Sequence, residues 1–185
     1  MPSTTSLDAY AQQFRFDPIP SERRQAHLPS AVASALRDEE VVVFACLDEH
    51  SDTAAFSARY GFALNDCANT LILKYTKDQG EHFAAAVTLG SRRLDINGAV
   101  KEALGAKRLT LARREVAMDI TAMEFGGITA FGLPAGMRIL VDAAVMERQV
   151  VVMGAGRRET KLLLSPLALT RLGAVEIGPF ASAAP

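Results

Sequence analysis

Gly126-Gly127-Ile128-Thr129-Ala130-Phe131-Gly132 is the stretch on which the fold turns, and a second glycine turn, Gly154-Ala155-Gly156-Arg157, follows it. Both lie between short apolar runs. Glycine has no Cβ, so such turns bring bare backbone amides against a neighbour or adopt φ > 0. Around them, residues 138–141, 150–153 and 161–164 read as strands. Upstream, 41–47 is a β-branched apolar run expected to be a buried strand, and 70–75 and 82–89 are strands joined by a polar turn. Helices are expected over 7–14, 30–36, 53–60, 95–104, 113–121 and 165–173, the fourth capped by Asp95 and ended by Gly105. Residues 175–177 add a last strand. Several strands are joined by hairpin-length turns. That favours an α+β fold, a mixed-strand barrel-like sheet flanked by helices, over a doubly wound one.

Composition narrows the class. A chain of 185 residues, 49% hydrophobic and 22% charged, suits one globular domain with a real core. Residues 1–30, punctuated by Pro18, Pro20 and Pro29, read as an N-terminal extension, and 31–180 as the domain. Net charge is −1, but it is unevenly placed. Seven acids fall between Asp38 and Asp66 against one base, Arg59, and seven bases fall between Arg92 and Arg114 against Asp95 and Glu102. Arg157, Arg158 and Lys161 form a second basic cluster. Such a face can meet a phosphate backbone, or can be a solvated helix surface. Cys46 and Cys67 sit in apolar company without a metal-like spacing, so they are expected as buried free thiols in a reducing compartment. No run approaches the ~20 apolar residues of a membrane span, and no basic-plus-apolar leader is apparent. The expected location is cytoplasmic, with no metal, cofactor, DNA or membrane partner; oligomeric state is not legible.

The order of motifs carries more than any one of them. Asn69-Thr70-Leu71, Ala84-Ala85-Ala86-Val87, Arg93-Leu94-Asp95, Ala103-Leu104-Gly105-Ala106-Lys107, the 126–132 turn, Val141-Asp142, Gly154-Ala155-Gly156 and Leu164-Ser165-Pro166 together resemble the YbaK/EbsC family. These are aminoacyl-tRNA deacylases related to the editing domain of prolyl-tRNA synthetase. The resemblance spans residues 40–178. It implies a YbaK-like fold and hydrolysis of the ester joining a small mischarged amino acid to the tRNA 3′ end. Editing members typically carry a lysine before the Thr-Leu pair, where this chain has Asn69. Asn hydrogen-bonds without neutralising charge, and Lys74, five positions along a strand, points to the other face. A second reading is therefore a non-catalytic module that binds an aminoacyl or nucleotide end.

Ester hydrolysis needs a positioned water and a hole for the developing oxyanion. Backbone N–H groups of 126–129 or 154–156 are the expected donors, each worth about 3 kcal/mol. The expected catalytic set is Asn69, Gly126, Gly127, Thr129 and Asp142. Thr129 offers a hydroxyl or simply enters a strand. Asp142 holds the substrate amino group or orients water, or else caps a helix over 143–147. The expected substrate-binding set is His50, Thr53, Phe131, Gly154, Gly156 and Arg157. For these the alternatives are a surface-loop His, a core Phe, tight connections at the glycines and a solvated Arg.

Overall fold

The computed structural model describes residues 6–184. Residues 1–5 of the expected extension lie outside it. In chain order the helices are α1 (Leu7–Gln13), α2 (Arg24–His27), α3 (Ser30–Ala35), α4 (Thr53–Tyr60), α5 (Ala99–Leu104), α6 (Arg114–Thr121) and α7 (Ala143–Met146). The strands are β1 (Asp17–Pro18), β2 (Val41–Ala45), β3 (Cys67–Lys77), β4 (Gly80–Leu89), β5 (Arg92–Leu94) and β6 (Arg108–Leu111). They continue with β7 (Arg138–Asp142), β8 (Val151–Gly154), β9 (Thr160–Leu164), β10 (Val175–Gly178) and β11 (Ala181–Ala183). A 3₁₀ helix, Pro166–Arg171, stands where an α-helix was expected.

One mixed sheet runs β1-β2-β9-β8-β3-β4-β7-β10, with β6 branching from β3, while β5 and β11 form a small separate ribbon. The pairs β3·β8, β4·β7 and β7·β10 are parallel and the others antiparallel. The sheet is thus mixed and helix-flanked as expected, with β1 and β10 as the ends of its path. Local chemistry explains the elements. The β3–β4 hairpin closes on Asp78 and Gln79, both left-handed (φ 48° and 64°), the geometry whose twist matches paired strands. Asp95 accepts N–H bonds from Gly98 and Ala99, each at 2.9 Å, at the entry of α5, and Gly105 (φ 63°) ends it.

Both faces of the sheet are covered. Along β2, Val41 and Val43 join one apolar cluster and Val42 and Phe44 another. Period-two alternation therefore buries every residue from Val41 to Phe44. The second cluster is rich in rings, and much of it comes from the segment read as an extension. Phe16 stacks on Phe44 with centroids 4.1 Å apart and Ala11 is buried with them, while Ile19 and Leu28 are buried in the first cluster. β1 pairs antiparallel with β2 at the sheet edge, where Pro18 and Pro20 blunt further pairing. Ala11, Phe16, Ile19 and Leu28 thus pack into the two apolar clusters. Phe16→Ala should cost about 3 kcal/mol, read as a lowered urea midpoint in a single cooperative transition. A separate early transition, or no change, would mark the segment as an appendage.

Candidate functional site

β3 pairs with β4 along its whole length, but its other edge forks. It meets β8 only at Cys67 and Ala68, and β6 only from Leu73 to Thr76. Glycine makes the fork. A Cβ on Gly154 would collide with the carbonyl oxygen of Gly127 and lie 2.6 Å from that of Ile128. The two glycine turns therefore press backbone to backbone, and the chain leaves β8 where β3 continues. Ladder alternation aims the N–H and C=O of Thr70 into the gap, and Ala112 N–H closes its far end on the Ile72 carbonyl at 2.8 Å.

A cavity of about 290 Å³ opens at this fork. Its polar lining is Ser51, Asp52, Thr53, Asn69, Thr70 and Lys161. Its apolar lining includes Leu71, Ile72, Leu111, Ala112, Ala117, Phe125 and Ile128. Thr53 Oγ1 donates to Asn69 Oδ1 at 2.6 Å, which leaves the Asn69 amide protons for a ligand. The buried hydroxyls of Ser51 and Thr70 have no internal partner. Lys161 is only 6% exposed and donates from Nζ to the Ser51 carbonyl at 2.6 Å. Burial pushes its ammonium below the usual lysine range. Asp52 is the one carboxylate on the lining among the described residues, with its side chain 75% exposed. Its Oδ1 lies 3.8 Å from Arg158 Nη1. At the mouth, Phe125 is 44% exposed, with the Arg114 guanidinium 5.3 Å from its ring centroid.

Of the eleven expected site residues, the cavity brings together Asn69, Thr53, Gly126 and Gly154. The glycine turns supply fewer free donors than expected. Gly127 N–H donates to Glu124 O (2.9 Å), Gly156 N–H to Gly127 O (2.7 Å), and Thr129 N–H faces Met123 Sδ (3.4 Å). Gly126 and Ile128 remain: among the described residues their N–H groups donate to no protein atom, and both line the cavity.

The other expected residues lie elsewhere. Asp142 is fully buried off the cavity, where it accepts from Arg92 Nε at 2.8 Å and Ala181 N–H at 2.9 Å. It ties the small ribbon to β7 and makes no helix-cap bond. Thr129 is buried with its hydroxyl unpartnered, and Phe131 is core, packed beneath Arg171. Arg157 is held to the Ala26 carbonyl at 3.1 Å, and Gly156 packs on Pro29. His50 faces Glu49 (3.7 Å) and Tyr60 rather than the cavity. Lys161, Asp52, Ser51 and Thr70 were missed. For Lys161 a signal existed: a lysine heading Leu162-Leu163-Leu164 in a strand read as buried cannot be an ordinary surface cation.

The family model for the aminoacyl-tRNA editing domain matches residues 48–172, a range that contains every residue lining the cavity, and the chain belongs to that family. Among solved structures it resembles the hypothetical protein APE2540, with 26% identity, TM-score 0.67, and coverage of 76% of this chain and 90% of that one. It also resembles a candidate trans-editing enzyme for prolyl-tRNA synthetase, with 16% identity, TM-score 0.68, and coverage of 89% and 99%. No helix among the described residues is long and apolar enough to cross a membrane.

Two outcomes follow. Asp142→Ala should destabilise the fold by about 3 kcal/mol by orphaning Arg92, measured by chemical denaturation. Burial, aided by Asp66, pushes the Cys67 thiol up to about 12. At pH 8 roughly one thiol in ten thousand is then ionised, so iodoacetamide should label Cys67 only after unfolding. Rapid labelling of the native protein would refute that environment.

Proposed function

We propose that this protein hydrolyses the ester of a tRNA mischarged with a small amino acid, acting in trans in the cytoplasm. The observation that carries the reading is the cavity itself, in a chain of the editing family. It joins main-chain donors, an amide donor and one carboxylate around one space of about 290 Å³. The N–H groups of Gly126 and Ile128, with that of Thr70, are the donors toward the ester carbonyl. The Asn69 amide positions the ester or the neighbouring ribose hydroxyl. Asp52 receives the α-ammonium group. The reaction adds water to the carbonyl carbon and expels the ribose oxygen, which leaves with a proton; Asn69 and the main-chain donors hold the geometry while this happens.

The polynucleotide has a route to the mouth. Lys107, Arg108, Arg113 and Arg114 are exposed along β6 and the start of α6, and none is in an ion pair among the described residues. By contrast Arg24, Arg92, Arg138, Arg148, Arg158 and Arg171 are all paired. Unpaired cations beside an exposed ring suit phosphates and a terminal base. The second reading, a binding module without turnover, is favoured by Asn69 alone, which brings no charge to its place on β3.

The test is deacylation of a panel of tRNAs charged with glycine, alanine, serine, cysteine or threonine. Wild type should release at least one amino acid well above the buffer rate. Asn69→Ala should lower kcat/KM about 100-fold. The pair Arg113→Glu and Arg114→Glu should weaken the reaction on intact tRNA about tenfold, steeply with salt, yet leave an aminoacyl-adenosine ester nearly unaffected. Tight binding of charged tRNA with no release would establish the module instead. Neither binding nor release would end both readings.

A further inference from the structure

Lys161 lies on β9 between Phe44 of β2 and Gly154 of β8. Strand alternation puts it on the same face as Leu163, in the layer that holds Phe44, Phe56 and Cys67. An ammonium in such a layer is costly unless it is paired. No carboxylate comes within ion-pair distance of it among the described residues. Its one recorded bond, to the Ser51 carbonyl, occupies one of three N–H donors. The hydroxyls of Ser51 and Thr70, also buried and unpartnered, line the same cavity. A methionine would fill this position with less penalty to folding. A buried cation kept without an anion, in a cavity it shares with two unpartnered hydroxyls, suits a ligand that brings negative charge only when it reacts.

We propose that Lys161 is a catalytic residue whose ammonium stabilises the oxyanion formed as the ester is hydrolysed, a role that rests on the hydrolytic reading above. Water oxygen bonds to the carbonyl carbon, and the C=O π pair moves onto oxygen, where Nζ meets it. The pair then returns, the carbon–ribose oxygen bond breaks, and the ribose oxygen takes a proton that came from the water. The products are the free amino acid and tRNA with its terminal hydroxyl restored. A pre-existing phosphate is the poorer fit for Lys161, because phosphates stay solvated and are met by the exposed arginines at the rim. The α-ammonium group of the substrate is directed away from Lys161, toward Asp52.

The test compares wild type, Lys161→Met and Lys161→Gln in three measurements: kcat on the best mischarged tRNA, Kd for a non-hydrolysable 3′-aminoacyl-amide adenosine, and thermal midpoint. Both variants should lose about 100-fold or more in kcat, with analogue Kd changed by less than about threefold. Lys161→Met should melt at or above the wild-type temperature, because it removes a buried charge. A lysine that merely supports the loop predicts the reverse, a lowered midpoint and a weakened analogue. Lys161→Gln keeps a donor for the Ser51 carbonyl and decides the matter should the methionine variant not fold. Near-wild-type kcat in either folded variant overturns the proposal while leaving the hydrolytic reading in place. Absence of turnover by wild type removes that reading and this one with it.

Discussion

The backbone contact between the two glycine turns is the constraint from which the site follows. With no Cβ at Gly154, the end of β8 lies directly on the carbonyls of Gly127 and Ile128. Gly127 in turn could not carry one, since it would sit 2.5 Å from the carbonyl carbon of Arg157. These turns are bonded to each other, Gly156 N–H to Gly127 O and Glu124 N–H to Gly156 O at 2.7 and 2.9 Å. β8 is thereby pulled off the edge of β3 after two paired residues, and the cavity occupies the gap. The glycines build the wall more than they furnish its donors.

An unpaired stretch of strand edge is ordinarily a hazard, since it templates pairing with another chain. Here it is short and recessed. α4 supplies Thr53 and Phe56 on one side, and the 111–128 segment supplies Leu111, Ala117 and Ile128 on the other. The same recess isolates Lys161 and the Ser51 and Thr70 hydroxyls from bulk water, which strengthens any interaction they make with an incoming group. Stability and reactivity therefore pull in opposite directions at this spot, and the aromatic layer around Phe16 and Phe44 supplies the apolar burial that lets the fold tolerate it.

Most strands and helices were legible because their determinants are local. β-branched runs, a turn at residues 78–79, Asp95 and Gly105 each act within a few residues. β1 was not legible: two residues, one a proline, carry no period, and only the burial of Phe16 and Ile19 reveals the pairing. The site was half legible. Asn69 was found through motif order and Thr53 through its place at the start of the helix expected over 53–60, and they proved to touch. Asp142 misled because a carboxylate at a strand end looks the same whether it faces a cavity or Arg92, fifty residues away in the chain. Lys161 was hidden by its neighbours. Beside Arg157 and Arg158 it counted as one more surface cation, although strand alternation turns it inward.

Cavity size bears on which esters such a site can process. At about 290 Å³ the cavity exceeds the volume of any single amino-acid side chain, and its apolar lining combines strand and helix residues (Leu71, Ile72, Leu111, Ala117) with loop residues (Ala112, Phe125, Ile128). Excess volume is rejected through strain, whereas a side chain one methylene too small forfeits only ~1–3 kcal/mol. Under the hydrolytic reading, side chains that differ by one methylene therefore differ by modest factors. Choice among side chains of similar size then falls to the polar lining, where the unpartnered hydroxyls of Ser51 and Thr70 favour a side chain able to bond to them over an apolar one.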